Sequence, residues 1–145
     1  MELSDRPRVA WDTSATIYYL ERAEPFYGSL AEQFGRLQRV GGSLVLSVVV
    51  YHELLVGPWK QQDWEAVGRV VLFCRRRPVE LADLTPTVIR RSAPLRATTG
   101  LATPDSLIIA TAQAQRCAEI VGNDRQWRRH ALGIPFRFLG EGSSP

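Results

Sequence analysis

Four acids in this chain are set in strongly apolar sequence. They are Asp12, just after Val9-Ala10-Trp11; Glu53, inside the segment from Ser47 to Leu55; Asp105, in Thr103-Pro104-Asp105-Ser106-Leu107-Ile108-Ile109-Ala110; and Asp124, just after Ile120-Val121-Gly122-Asn123. A carboxylate in such surroundings loses hydration unless a cation or hydrogen bonds compensate it. One acid of this kind reads as a cap. Four, spread over most of the chain, suggest a shared site of oxygen ligands. The natural occupant of such a site is a hard divalent cation, magnesium or manganese. Asp105 taken alone reads equally well as an ordinary acid in a first helical turn.

The elements that would position these acids can be read from apolar periodicity and punctuation. Val9-Ala10-Trp11 reads as a short buried strand, followed by a loop and a helix from Ala15 to Glu21. A second helix is expected from about Pro25 to Arg39, with Pro25 at its first position and Gly41-Gly42 as its stop. Leu44-Val45-Leu46 is the second strand. Ser47 caps a helix from Val48 to Val56 that Gly57-Pro58 should end, with Val49, Glu53 and Val56 on one face. A further helix spans about Gln61 to Arg76, with Trp64, Val67, Val71 and Phe73 or Cys74 inward.

Pro78 to Leu84 contains a strand. Thr85-Pro86 opens a helix that Gly100 stops, and Thr103-Pro104 repeats the device one helix later. Ala118 to Gly122 and Pro135 to Leu139 are the last strands, with a loop and a helical turn between them. Strands alternating with helices mean an α/β layer fold with a mainly parallel sheet. Ligands in such sheets sit beyond the carboxyl ends of the strands, near the switch in strand order. Asp12 and Asp124 both follow strands, which is the physical reason to expect them to converge.

Composition sets the outer bounds. At 145 residues the chain fits one domain with a substantial core. No apolar run reaches the roughly 18 residues that a bilayer span needs. Met1 to Arg6 lacks the apolar stretch of a signal peptide, so a cytoplasmic location is expected. Cys74 and Cys117 form no Cys-x-x-Cys pair and read as reduced and structural. The formal net charge is +3, and Lys60 is the only lysine. The run Arg125-Gln126-Trp127-Arg128-Arg129-His130 directly follows Asp124, and base beside a metal site suits a polyanion such as nucleic acid. The tail from Gly140 to Pro145 is expected to fray.

Segment 9–20, Glu53-Leu54-Leu55-Val56-Gly57, segment 104–112 and Gly122-Asn123-Asp124-Arg125 together resemble the PIN domain, and more narrowly the VapC-type toxins of bacterial toxin–antitoxin pairs. The resemblance covers nearly the whole chain, a PIN domain over residues 1–140 with 141–145 as a disordered tail. It implies a three-layer α/β/α fold with strand order 3-2-1-4-5 and a magnesium- or manganese-dependent endoribonuclease. It makes Asp12, Glu53, Asp105 and Asp124 the catalytic acids, with Asp12, Asp105 and Asp124 as metal ligands. It gives Thr13 or Ser14 as the hydroxyl that supports the first aspartate. Arg125, Ser14 and Asn123 are assigned to substrate contact. It also implies a homodimer silenced by a small antitoxin, lying in a groove near Tyr19, Trp59 and Trp64, although Trp64 could equally be core.

Two positions depart from the family's pattern. Gly122 stands where many members carry Thr or Ser, and Gln126 where many carry a further acid. The remaining four carboxylates must then carry the metal chemistry alone. Phosphodiester hydrolysis needs an activated water, neutralised phosphoryl oxygens and a stabilised leaving oxygen, all of which a carboxylate-held divalent ion supplies. His52 adjoins Glu53 but faces another direction on a helix. Three other readings are open to the sequence: a PIN nuclease of housekeeping RNA processing; a non-catalytic magnesium-binding receiver module, which would need a lysine near the site; and a haloacid-type phosphatase, which would need an aspartate where Ser14 stands.

Overall fold

The computed structural model describes residues 6–140. The expected frayed tail at 141–145 lies outside them. Five parallel strands form one sheet: β1 (Arg8–Trp11), β2 (Ser43–Ser47), β3 (Val79–Ala82), β4 (Glu119–Gly122) and β5 (Phe136–Phe138). Their order is β3-β2-β1-β4-β5, as the resemblance implies. Six helices cover the sheet in a three-layer arrangement: α1 (Thr13–Leu20), α2 (Tyr27–Val40), α3 (Val48–Lys60), α4 (Trp64–Arg75), α5 (Pro86–Thr99) and α6 (Thr103–Ala114).

The order has a direct consequence for the site. The chain builds outward from β1 through β2 to β3, then returns to lay β4 against the other edge of β1. The switch point therefore lies between β1 and β4, where the chains leaving the two strands diverge and open a crevice. Asp12 follows β1 and Asp124 follows β4 by one residue of spacing.

The core is the apolar run of the central strands. Trp11, Leu44, Leu46, Ile120 and Val121 are fully buried, and Ile109 of α6 joins them. Burying each such side chain contributes about 1.5–3 kcal/mol. Aromatic residues bind the first two helices to the sheet: Tyr19 stacks on Phe34 at 4.8 Å and meets Trp11 at 5.4 Å. Trp11 Nε1 donates to Gln33 Oε1 at 2.7 Å, so the buried indole keeps a partner. Tyr19, expected on the exposed groove, thus belongs to this aromatic cluster.

Several boundaries differ from expectation, each for a local reason. Helix α2 begins at Tyr27, with Pro25 in the preceding turn. Its end is as read, with Gly41 left-handed at φ 71°. Helix α3 runs through Gly57-Pro58 to Lys60. Pro58 supplies a helical φ but no N–H for Leu54 O, so the helix continues one intrahelical bond short. The helix then closes with Gln61 N donating to Gly57 O at 3.1 Å. Val50 and Leu54 are its buried residues, Val49 packs partly buried against the core, Glu53 is half-buried and Val56 is exposed. On α4 the inward residues are Val70, Phe73 and Cys74, while Trp64 is exposed and meets Trp59 edge-on at 4.9 Å. Helix α6 starts one residue earlier than expected, so Thr103 is within the helix and not its cap. Ser47 and Thr85 cap as read, accepting from Val49 N at 3.0 Å and Val88 N at 3.2 Å.

Candidate active site

The four acids arrive on four different elements and meet at one edge of the sheet. Asp12 is the N-cap of α1, Glu53 lies in the second turn of α3, Asp105 in the first turn of α6, and Asp124 caps the short 3₁₀ turn Arg125–Arg129. All four line a single open cavity of about 650 Å³, with Thr13, Ser14, Asn123 and Arg125 also on its wall. Every residue assigned from sequence to catalysis, metal or substrate therefore borders one space. His52 is exposed on α3 and His130 stands outside the cavity lining. The Arg96 guanidinium is engaged elsewhere, donating to Leu101 O at 2.5 Å after the end of α5.

Each acid is held by its own short-range chemistry. Asp12 Oδ1 accepts from Ala15 N at 2.8 Å and from Ser14 Oγ at 2.8 Å. Ser14 Oγ also accepts from Asn123 N at 3.1 Å, tying the loop after β4 to the loop after β1. The other candidate hydroxyl has a different task, for Thr13 Oγ1 donates to Glu53 Oε1 at 2.5 Å. That bond brings an acid from α3 to the site, so the two neighbouring hydroxyls serve two carboxylates. Asp124 Oδ1 accepts from Gln126 N at 2.8 Å, so the position that lacks the extra family acid contributes a backbone donor.

The electrostatics are those of carboxylates that face one shared space. Burial pushes the Asp12 carboxyl up to about 6; the bonds from Ala15 and Ser14 oppose the shift, and the charge on Asp124 adds to it. Asp105 is also raised, first by burial and then by the charges of Asp124 and Glu53. Mutual repulsion across the cavity is what a bound cation would relieve.

The donor set fits a water-rich hard cation. Among the described residues, no three His, Cys, Asp or Glu side chains stand close enough to chelate an ion unaided. Magnesium, though, is usually bound by one or two carboxylates and several waters. The cavity offers four carboxylates around an open volume. It also borders Asn123, whose Oδ1 is buried without a hydrogen-bond partner while its Nδ2 donates to Tyr18 Oη at 3.0 Å. An unpaired buried acceptor beside four acids suits a cation or its waters.

Sequence reasoning overlooked Trp127. It lies within a basic run, yet it is 1% exposed and packs against Phe136 at 5.3 Å. The indole lines the cavity, and its buried Nε1 makes no hydrogen bond. The only signal for it is its type: a large aromatic side chain within a basic run is a candidate for burial.

The raised Asp12 pKa has a testable sign. Below about pH 4 the carboxyl is protonated in both folded and unfolded chains. As pH rises toward 6, the unfolded chain ionises while the folded protein retains the proton. The metal-free protein should lose roughly 3 kcal/mol from this group across that window, and no more above it. Urea unfolding in chelator, at several pH values, should show that loss in wild type relative to Asp12→Asn. Parallel pH profiles for the two proteins would contradict it.

Comparison with known proteins adds a second line. The family model described as PIN domain matches residues 9–132. No curated protein sequence matches the chain. Among solved structures, VapBC2 of Rickettsia felis, bound to a promoter DNA fragment, is similar with a TM-score of 0.72 at 19% identity, covering 90% of this chain and 98% of that one. VapBC-1 of nontypeable Haemophilus influenzae has a TM-score of 0.71 at 18% identity, covering 91% and 98%. VapC20 of Mycobacterium tuberculosis, a toxin that cleaves the sarcin–ricin loop, has a TM-score of 0.64 at 12% identity, covering 83% and 93%. At these identities the likeness is one of fold. The receiver and haloacid readings give way, and Lys60 lies at the end of α3, outside the cavity lining.

Proposed function

The chain belongs to the PIN-domain family, and from that premise we propose that it is a metal-dependent endoribonuclease serving as the toxin of a toxin–antitoxin pair. The observation that carries this reading is the convergence of Asp12, Glu53, Asp105 and Asp124, from four elements, on one cavity at the switch point of the sheet. The structural neighbours that are VapBC complexes, and the one that cleaves the sarcin–ricin loop, support the toxin assignment.

Asp12, Asp105 and Asp124 are the residues that would hold the ion. A bound magnesium or manganese ion supplies a water of lowered pKa and neutralises charge on the phosphate. The chain's own groups do the rest. Ser14 fixes the Asp12 carboxylate, and Thr13 fixes Glu53 at the opposite wall, where it orients water for attack. Arg125 on the cavity wall meets the phosphate, with Ser14 and Asn123 beside it. Ile17 and Ile108 add apolar surface to the cavity wall.

The same reading accounts for a partner surface. A groove of about 270 Å³ between α1, α3 and α4 shares Ile17 and Glu53 with the acid cavity. Trp59 and Trp64 of the same two helices, α3 and α4, are more than half exposed. Aromatic surface of that kind suits an interface, and an arginine from a small antitoxin would pair with the acids. The reading also makes the protein a homodimer in the cytoplasm. Among the described residues no helix is long and apolar enough to cross a membrane.

Metal add-back tests the activity. Protein stripped with chelator should leave RNA intact, and Mg²⁺ or Mn²⁺ should restore cleavage. Cleavage that persists at full rate in chelator would contradict the proposal.

A further inference from the structure

Gly122 ends β4 and is buried, and the family pattern makes it look like a lost hydroxyl. The geometry gives it a different meaning. A Cβ built on Gly122 would stand 2.2 Å from Asp12 Oδ2, 2.4 Å from Asp12 Cγ and 3.0 Å from Asp12 Oδ1. These are its three nearest neighbours, and the first two are far inside van der Waals contact. Gly122 is not among the glycines with positive φ, so backbone conformation does not require a glycine there. Space requires it, and one residue fills that space.

The Asp12 carboxylate is held in this position from two sides. Ala15 N and Ser14 Oγ donate to Oδ1, and Ser14 Oγ also reaches Oδ2 at 3.0 Å. The backbone of Asp12 is fixed too, its N–H donating to Val121 O at 2.9 Å. The side chain therefore cannot yield to a new Cβ without leaving its cap bonds.

We infer that Gly122 is a positioning residue: by having no side chain, it sets the rotamer in which Asp12 is presented to the acid cavity. A side chain at 122 and the observed Asp12 carboxylate exclude each other. A chain with Ser or Thr at this place would have to hold its first aspartate in another rotamer. The Gly122 departure is thus half of a matched pair with Asp12. The part of the inference that concerns metal rests on the proposed function; the coupling of the two residues does not.

A double-mutant cycle in urea, run in chelator, tests the coupling. Gly122→Ala in wild type is expected to lower the unfolding midpoint by about 1 M. In the Asp12→Ala background the same substitution should change the midpoint little, because the clashing atoms are gone. If Gly122→Ala alone fails to fold while Asp12→Ala/Gly122→Ala folds, that also supports the pairing. Equal losses in both backgrounds overturn it. Calorimetric titration with Mn²⁺ supplies the second readout: Gly122→Ala should bind on the order of tenfold more weakly than wild type, about 1.4 kcal/mol. Unchanged Mn²⁺ affinity in Gly122→Ala overturns the positioning role. Wild-type protein that binds no Mn²⁺ contradicts the functional reading instead, and a coupled cycle then still supports the rotamer assignment.

Discussion

Asp124→Asn is expected to lower metal-dependent RNA cleavage by on the order of 10²–10³-fold, corresponding to several kcal/mol of transition-state stabilisation. The substitution removes a charge and little else. An asparagine Oδ1 can still accept from Gln126 N, as the Asp124 Oδ1 does at 2.8 Å, so the 3₁₀ turn keeps its cap. Asp124 is also the acid whose charge raises both Asp12 and Asp105. Its loss weakens cation binding while relieving the repulsion that burdens the metal-free protein. Thermal unfolding in chelator should therefore show Asp124→Asn no less stable than wild type while cleavage falls. Cleavage within a few-fold of wild type would remove Asp124 from the site.

Trp127→Ala should be the most damaging single change to the scaffold of the site, costing about 3–5 kcal/mol. The indole is fully enclosed, meets Phe136 of β5 at a tilt and belongs to the turn that Asp124 caps. Its removal leaves a cavity between the 3₁₀ turn and the sheet edge, so Asp124 and Arg125 lose their support. Trp127→Phe separates packing from polarity. It retains most of the ring contact and deletes an indole Nε1 that has no hydrogen-bond partner, so a smaller loss is expected. Urea midpoints for the two variants check the order. A Trp127→Ala protein within about 1 kcal/mol of wild type would show that the turn is held by something else.

Particular residues explain what could be read in advance. The apolar runs around Val9, Leu44 and Ile120 are buried strands because a parallel sheet covered on both faces needs continuous hydrophobicity. Ser47, Thr85, Gly41 and Gly100 act locally, so their signals were legible. The acids could be picked out as a set of four in apolar sequence, although Asp105 alone reads as an ordinary first-turn acid.

What stayed hidden depends on contacts between distant parts of the chain. Nothing near Thr13 announces that its hydroxyl belongs to Glu53, 40 residues away. Gly122 looks like a deficit until the Asp12 carboxylate is seen in the space a side chain would take. Helix α3 passes through Gly57-Pro58 although the proline leaves it one donor short, and the turn into α4 is closed by Asp63 N donating to Pro58 O at 3.0 Å. Trp64 fits an inward pattern on periodicity, yet lies outside beside Trp59. In each case tertiary geometry decides between local alternatives that sequence leaves nearly equal.

If the carboxylate-lined cavity holds the catalytic ion, as proposed, RNA cleavage depends on Asp12 and Asp124. The most direct measurement is RNA cleavage by wild type, Asp12→Ala and Asp124→Asn, purified identically and assayed side by side with Mn²⁺. The account predicts cleavage by wild type alone. Equal cleavage by all three proteins would mean that the activity comes from elsewhere, and the account would fail.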